Sequence, residues 1–150
     1  RLKMKVSECM SRDVQIVKPD QPIREAAQFM LRSDAGAMPV CEGDRLVGML
    51  TDRDIAVRAV AGGRGPETPV REAMTDHIDY CYDDDDMETV AMRMSDSQVR
   101  RFPVIGRNDN KLVGIVSLGD LSHSDQSQAA QVALEGVSDP GGQHNQSQEG

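Results

Sequence analysis

Three features of the sequence predict an α/β (α+β) fold made of one unit used twice. The first is a pattern of Gly, two apolar residues, a hydroxyl residue, two variable positions and Asp, at "GMLTDRD" (48–54) and again at "GIVSLGD" (114–120). The second is that the likeness spreads outward from it. At an offset of 64, Val6, Glu8 and Met10 fall on Val70, Glu72 and Met74, and Asp20 falls on Asp84. Ala27, Met30, Ser33 and Pro39-Val40 likewise fall on Ala91, Met94, Ser97 and Pro103-Val104. Beyond Gly43 the second copy gains two residues, and at an offset of 66 Leu46-Val47-Gly48 meets Leu112-Val113-Gly114. The third feature is that strand-like and helix-like apolar spacing alternates in the same order in both copies. Two copies argue for a pseudo-symmetric pair, since a solenoid needs at least about three repeats.

Each element follows from its residues. "VQIV" (14–17) reads as a short strand. Pro22 suits a helix start, and Ile23, Ala26, Ala27, Met30 and Leu31 lie on one helical face. "MPVC" (38–41) and "RLVGML" (45–50) read as hairpin strands around a loop containing Gly43. Thr51 opens the helix "TDRDIAVRAVA", which stops at Gly62-Gly63. The second copy repeats the order: a strand near "IDYC", a helix carrying Met87, Val90, Ala91 and Met94, then "FPVI" and "KLVGIV". The unit is therefore β-α-β-β-α, occupying 6–61 and 70–122 and joined by the glycine- and proline-rich linker 62–69. Such units bury little alone, so their sheets are expected to share one core. The segment 123–150 is polar; a short helix near 127–135 and a disordered remainder are expected there.

Composition removes several function classes. A chain of 150 residues suits one ordinary domain, and a net charge of −8 with a pI near 4.8 is wrong for a general nucleic-acid binder. No apolar run reaches the roughly 18 residues of a membrane span, and no secretory pattern opens the chain. A cytoplasmic protein is expected, with "RLKMK" read as a cloning remnant or a trimmed terminus. Cys9, Cys41 and Cys81 have no C-x-x-C spacing and read as buried free thiols. His77, His123 and His144 are scattered, so no metal site is expected. Asp83 to Asp86 precede a helix, where carboxylates favour the positive end of its dipole. The nine methionines read mainly as core filler. Neither a nucleophile–base constellation nor a P-loop appears, and neither an enzyme nor a catalytic cofactor is expected.

The repeated pattern itself has two readings. Thr51 with Asp54, and Ser117 with Asp120, have the spacing of a capping box. A carboxylate at a helix start can also accept both hydrogen bonds of a ribose diol. The glycine before the strand end, present in both copies, favours the second reading.

These residues also carry a family likeness. "GMLTDRD" and "GIVSLGD", with "AMPVCEGDRLVG", "RFPVIGRNDNKLVG", "VSECMS" and "VREAMT", resemble a CBS-domain pair (a Bateman module) over about residues 6–121. They are similar to bacterial stand-alone two-CBS proteins, including the hypoxic response proteins of mycobacteria. The resemblance implies a pseudo-two-fold pair with clefts between the units that take adenosine-containing ligands such as AMP, ATP, S-adenosylmethionine or NAD. It implies a ribose role for Asp54 with Thr51, and for Asp120 with Ser117. It groups Asp54 with Thr75, Asp79, Val99 and Arg100, and Asp120 with Ser11, Gln15, Ala35, Gly36 and Ala37. Arg100 and Arg101 take the place of phosphate-contacting basic residues, where the first copy has Gly36 and Ala37. A homodimer is implied as well, with Ile55, Val57, Val60 and Leu121 on its face. The expected function is a regulatory nucleotide sensor that answers by conformational or oligomeric change. A ligand-free dimeric scaffold, and a metal- or redox-responsive protein using the cysteines, are the alternatives.

Overall fold

The computed structural model describes residues 4–121, with side chains described as far as Gly119. The readings made for 123–150, and for the side chains of Asp120 and Leu121, lie outside the described residues. The described chain divides into two compact units, one of residues Gln15–Ile78 and one of 4–14 with 79–121. These units are not the two sequence copies. Each copy's opening segment folds onto the other copy's body.

In the unit Gln15–Ile78, helix α1 (Ile23–Ser33) precedes a hairpin of β1 (Ala37–Glu42) and β2 (Arg45–Thr51). Gly43 turns the hairpin at φ 63, a conformation costly for residues with a Cβ. The strands are antiparallel, and Val40 faces Gly48 while Cys41 faces Leu46, so Val47 is an extra residue in a bulge. Helix α2 (Asp52–Asp54) follows β2 directly and continues as a π-helix over Ile55–Val60.

The other unit repeats this frame. Strand β3 (Cys81–Tyr82) runs parallel to β4 (Arg101–Ile105), which pairs with β5 (Leu112–Ser117). Helix α3 (Met87–Ser97) lies between β3 and β4 in sequence, and α4 (Leu118–Leu121) follows β5. Val104 faces Gly114 and Ile105 faces Leu112, which puts the same bulge at Val113.

Three expectations are corrected. "VQIV" forms no strand; only Val17 makes a parallel bridge, to Val40. The apolar face of α1 is narrower than its spacing suggests: Ile23, Ala26 and Met30 are buried, whereas Ala27 is exposed and Leu31 is 82% exposed. A two-stranded hairpin offers α1 a narrow surface. Helix α3, in the unit with three strands, buries Met87, Val90, Ala91 and Met94 as expected. The buried apolar side chains form two clusters, one in each unit, where one shared core was expected. The linker 62–69, exposed over 62–67, is hydrogen-bonded to α1. The Ile23 amide donates to the Thr68 carbonyl at 2.8 Å and the Arg24 amide to that of Pro66 at 3.0 Å, so linker carbonyls take the first amides of α1. Ion pairs Arg24–Glu67, Arg64–Glu72 and Arg71–Asp20 lie around it.

Candidate ligand-binding site

The glycine of each repeated pattern has a packing reason. A Cβ on Gly48 would stand 2.8 Å from the Thr75 carbonyl oxygen, and one on Gly114 would stand 2.8 Å from that of Ser11. Both distances are shorter than side chains tolerate, because Met49 bridges Thr75 and Ile115 bridges Ser11 with paired backbone hydrogen bonds. The two glycines therefore admit a neighbouring chain segment, and taken alone they do not argue for a ligand.

Thr51 ends β2 in an extended conformation and caps α2. Its hydroxyl accepts from the Asp54 amide at 3.0 Å, and its own amide donates to Asp54 Oδ2 at 3.0 Å. The capping box expected from the spacing is complete. It occupies only one carboxylate oxygen. Asp54 Oδ1 accepts a long bond from the Thr75 hydroxyl, 3.4 Å, and lies 3.8 Å from Arg58 Nε. The Asp54 side chain is 14% exposed, largely sheltered but not sealed from solvent. A 3.4 Å bond is weak, and a well-placed hydroxyl donor could replace it. Thr51, Asp54 and Thr75 are thus brought together within one unit.

The remaining expected residues are spread over the two units. Gly36 is buried in the unit of Asp54, and its carbonyl accepts from the Asp52 amide at 2.9 Å. Gln15 is exposed, while Ala35 and Ala37 are half-buried in the same unit. The other unit holds Ser11, beside β5, together with Asp79, Val99, Arg100, Arg101, Ser117 and Asp120. There the Arg100 carbonyl accepts from the Leu118 amide at 3.2 Å, the counterpart of the Gly36 contact. Arg100 and Asp79 are exposed and Arg101 is half-buried.

The acidic run is engaged structurally. Arg107 holds Asp84 through Nε at 2.9 Å and Asp85 through Nη2 at 2.9 Å, and its guanidinium stacks 4.1 Å from the Tyr82 ring centre. Asp86 Oδ2 caps α3 by accepting from the Thr89 amide at 3.2 Å. Among the described residues no three His, Cys, Asp or Glu side chains gather as metal donors. Cys41 and Cys81 are buried free thiols, and Cys9 is half-buried. Burial, then the Asp44 charge, pushes the Cys41 thiol up to about 11. Burial foremost pushes Cys81 up to about 12, with Asp85 and Asp83 adding to it against Arg93. Burial thus favours the neutral thiol at both positions.

Sequence reasoning missed Arg58. Its Nη1 donates to the Met74 carbonyl at 3.1 Å, reaching from the π-helical turn to the segment that carries Thr75. The i, i+4 spacing from Asp54 was a visible signal for it.

Comparison with known proteins supplies the context. The profile of the CBS domain matches residues 6–60 and 70–126. The CBS domain-containing protein YhcV of Bacillus subtilis is 42% identical over 134 residues, 89% of this chain and 94% of its own length. Hypoxic response protein 1 of Mycobacterium tuberculosis is 39% identical over 115 residues, 75% of this chain and 79% of its own. A crystal structure of hypoxic response protein I, with two coordinated zinc ions, aligns with a TM-score of 0.72 at 36% identity, covering 80% of this chain and 98% of that one. The CBS domain pair of protein MJ0100, in complex with 5′-methylthioadenosine and S-adenosyl-L-methionine, aligns with a TM-score of 0.69 at 27% identity, covering 81% and 95%. Among the described residues no helix is long and apolar enough to cross a membrane.

Proposed function

We propose that this chain, which belongs to the CBS-domain family and carries two copies of the domain, is a regulatory module that binds an adenosine-containing ligand. AMP, ATP, NAD and S-adenosylmethionine are the candidates. Asp54 holds the ribose diol through Oδ1, and Thr51 and Thr75 supply neighbouring hydroxyls. Ser117 and Asp120 act in the same way in the second copy, with Ser11 in the place of Thr75. Arg100 and Arg101 attract phosphates. Asp79, Val99, Gln15, Ala35, Gly36 and Ala37 contribute to the ligand's surroundings. The protein acts without catalysis, as a cytoplasmic homodimer, and passes ligand occupancy on as a change in conformation or assembly.

The observation that carries this reading is the division of labour at Asp54. Its Oδ2 completes the capping box while Oδ1 holds a weak 3.4 Å bond and a 3.8 Å ion pair, so capping and ligand binding are compatible in one side chain. The complex of the MJ0100 pair with adenosyl ligands supports the ligand class.

A thermal-shift series tests the proposal. A ligand that binds only the folded state raises the melting temperature, by about 2.7 kcal/mol of added stability at a hundredfold excess over Kd. AMP, ATP, NAD and S-adenosylmethionine are each to be added at millimolar concentration, and at least one is expected to raise the melting temperature. No response to any of them favours the ligand-free scaffold.

A further inference from the structure

We infer that Arg58 is a positioning residue for the Asp54 site, holding the carboxylate and the Met74–Thr75 segment in the geometry that selects a ribose over a deoxyribose. The inference rests on the proposed ribose role of Asp54. Three contacts converge on it. Arg58 Nη1 donates to the Met74 carbonyl at 3.1 Å, Arg58 Nε stands 3.8 Å from Asp54 Oδ1, and the Thr75 hydroxyl reaches the same Oδ1 at 3.4 Å. One planar guanidinium thus spans the carboxylate and the segment facing it, which a fork of fixed donors does at low entropic cost.

The need for such a residue follows from the ligand step itself. A diol that bonds to Oδ1 displaces the Thr75 hydroxyl, and the bond that ties the carboxylate to the Met74–Thr75 segment is lost. Arg58 then remains as the tie between the two. It is carried on the wide π-helical turn that begins directly after Asp54. Its side chain is 52% exposed against 14% for Asp54. The second copy differs here: the offset that sets Asp54 on Asp120 sets Arg58 on Ser124. The device belongs to the first copy alone.

The test is calorimetric titration of the full chain with adenosine, 2′-deoxyadenosine and AMP, for wild type, Arg58→Ala and Arg58→Gln. Gln ends two bonds short of the Nη1 that reaches the Met74 carbonyl and carries no charge, yet it keeps a polar helix-forming side chain and so guards against a misfolded alanine variant. Wild type is expected to prefer adenosine over 2′-deoxyadenosine by about tenfold or more, the worth of a hydrogen bond to a charged acceptor. Both variants are expected to bring that preference within about twofold while 2′-deoxyadenosine affinity stays near wild type, because the bond that selects the 2′-hydroxyl is the one lost. Equal weakening of both nucleosides means a structural role only and overturns the inference. So does loss of AMP affinity with the ribose preference intact, which makes Arg58 a phosphate contact. A wild type that binds neither nucleoside, or both equally, overturns the ribose reading and this inference together.

Discussion

At the scale of single residues, Asp54 has two jobs that one substitution separates. Asn keeps a side-chain oxygen that can accept from the Thr51 amide in the capping box but carries no charge. Asp54→Asn is therefore expected to leave the melting temperature of the free protein nearly unchanged and to weaken nucleotide binding by about 1.5–3 kcal/mol, more than tenfold. Calorimetry with AMP checks this; wild-type affinity in the variant makes the repeated motif a helix start and nothing more. Gly48 and Gly114 give a contrasting result, because a methyl group at either meets a backbone carbonyl at 2.8 Å. Ala at either position is expected to cost about 1–3 kcal/mol in urea unfolding, the usual range for an overpacked site. A neutral effect shows that the Met74–Thr75 or Met10–Ser11 segment can step back freely. The buried thiols add a pH dependence. Folding raises Cys41 from 9.0 to about 11 and Cys81 from 9.0 to about 12, so the folded state favours the protonated thiol. Their contribution is complete below pH 9 and is lost as pH climbs towards about 12. Replacing both with Ala is expected to flatten the alkaline limb of the stability curve; an unchanged limb places its origin elsewhere.

At the scale of elements, legibility in the sequence followed the range of the interactions involved. The hairpin strands, α3 and the capping box at Thr51 were legible because alternation, helical spacing and a three-residue offset are local signals. The bulges at Val47 and Val113 were not, since an extra residue leaves the composition of a strand untouched. "VQIV" looks like a strand, but β propensity forms one only where a partner edge is available, and here a single bridge at Val17 is made. The linker's glycines and prolines made its exposure legible, while only the fold shows that the Pro66 and Thr68 carbonyls cap α1. Helix α1 has no side-chain cap of its own, whereas α3 has Asp86. Asp86→Ala is thus expected to cost about 0.5–2 kcal/mol, the ordinary worth of a cap. Urea titration measures it, and a loss under the lower bound means that the backbone contact from the Met87 amide to Met4 holds that helix start alone. At the site, the Thr51–Asp54 pair was legible from sequence; Arg58 was passed over because an i, i+4 Asp–Arg pair is common on helices, and only the fold locates its second partner, the Met74 carbonyl.

At the scale of the whole molecule, the mismatch between sequence copies and compact units makes a prediction about fragments. Cutting the chain at its repeat boundary, in the linker, looks natural from sequence. It would divide both cores. The cluster of the unit Gln15–Ile78 runs from Val17 to Ala73 and includes Val70, fully buried, which lies beyond the cut. A fragment of residues 1–61 therefore loses Val70 and Ala73 from its core, and exposing one such valine position forgoes about 1.5–3 kcal/mol. It also loses the Thr68 and Pro66 carbonyls from the start of α1, and it keeps Val6, whose cluster lies in the other unit. A fragment of residues 15–78 keeps every buried member of its cluster, its linker and the Arg58–Met74 contact. Units this small are marginal in stability, so losses of that size decide whether they fold. Circular dichroism melts of the two fragments are expected to show a cooperative transition for 15–78 and a featureless slope for 1–61. A fragment 1–61 that melts cooperatively, at or above the temperature of 15–78, would show that the opening segments are accessories and that each sequence copy folds by itself.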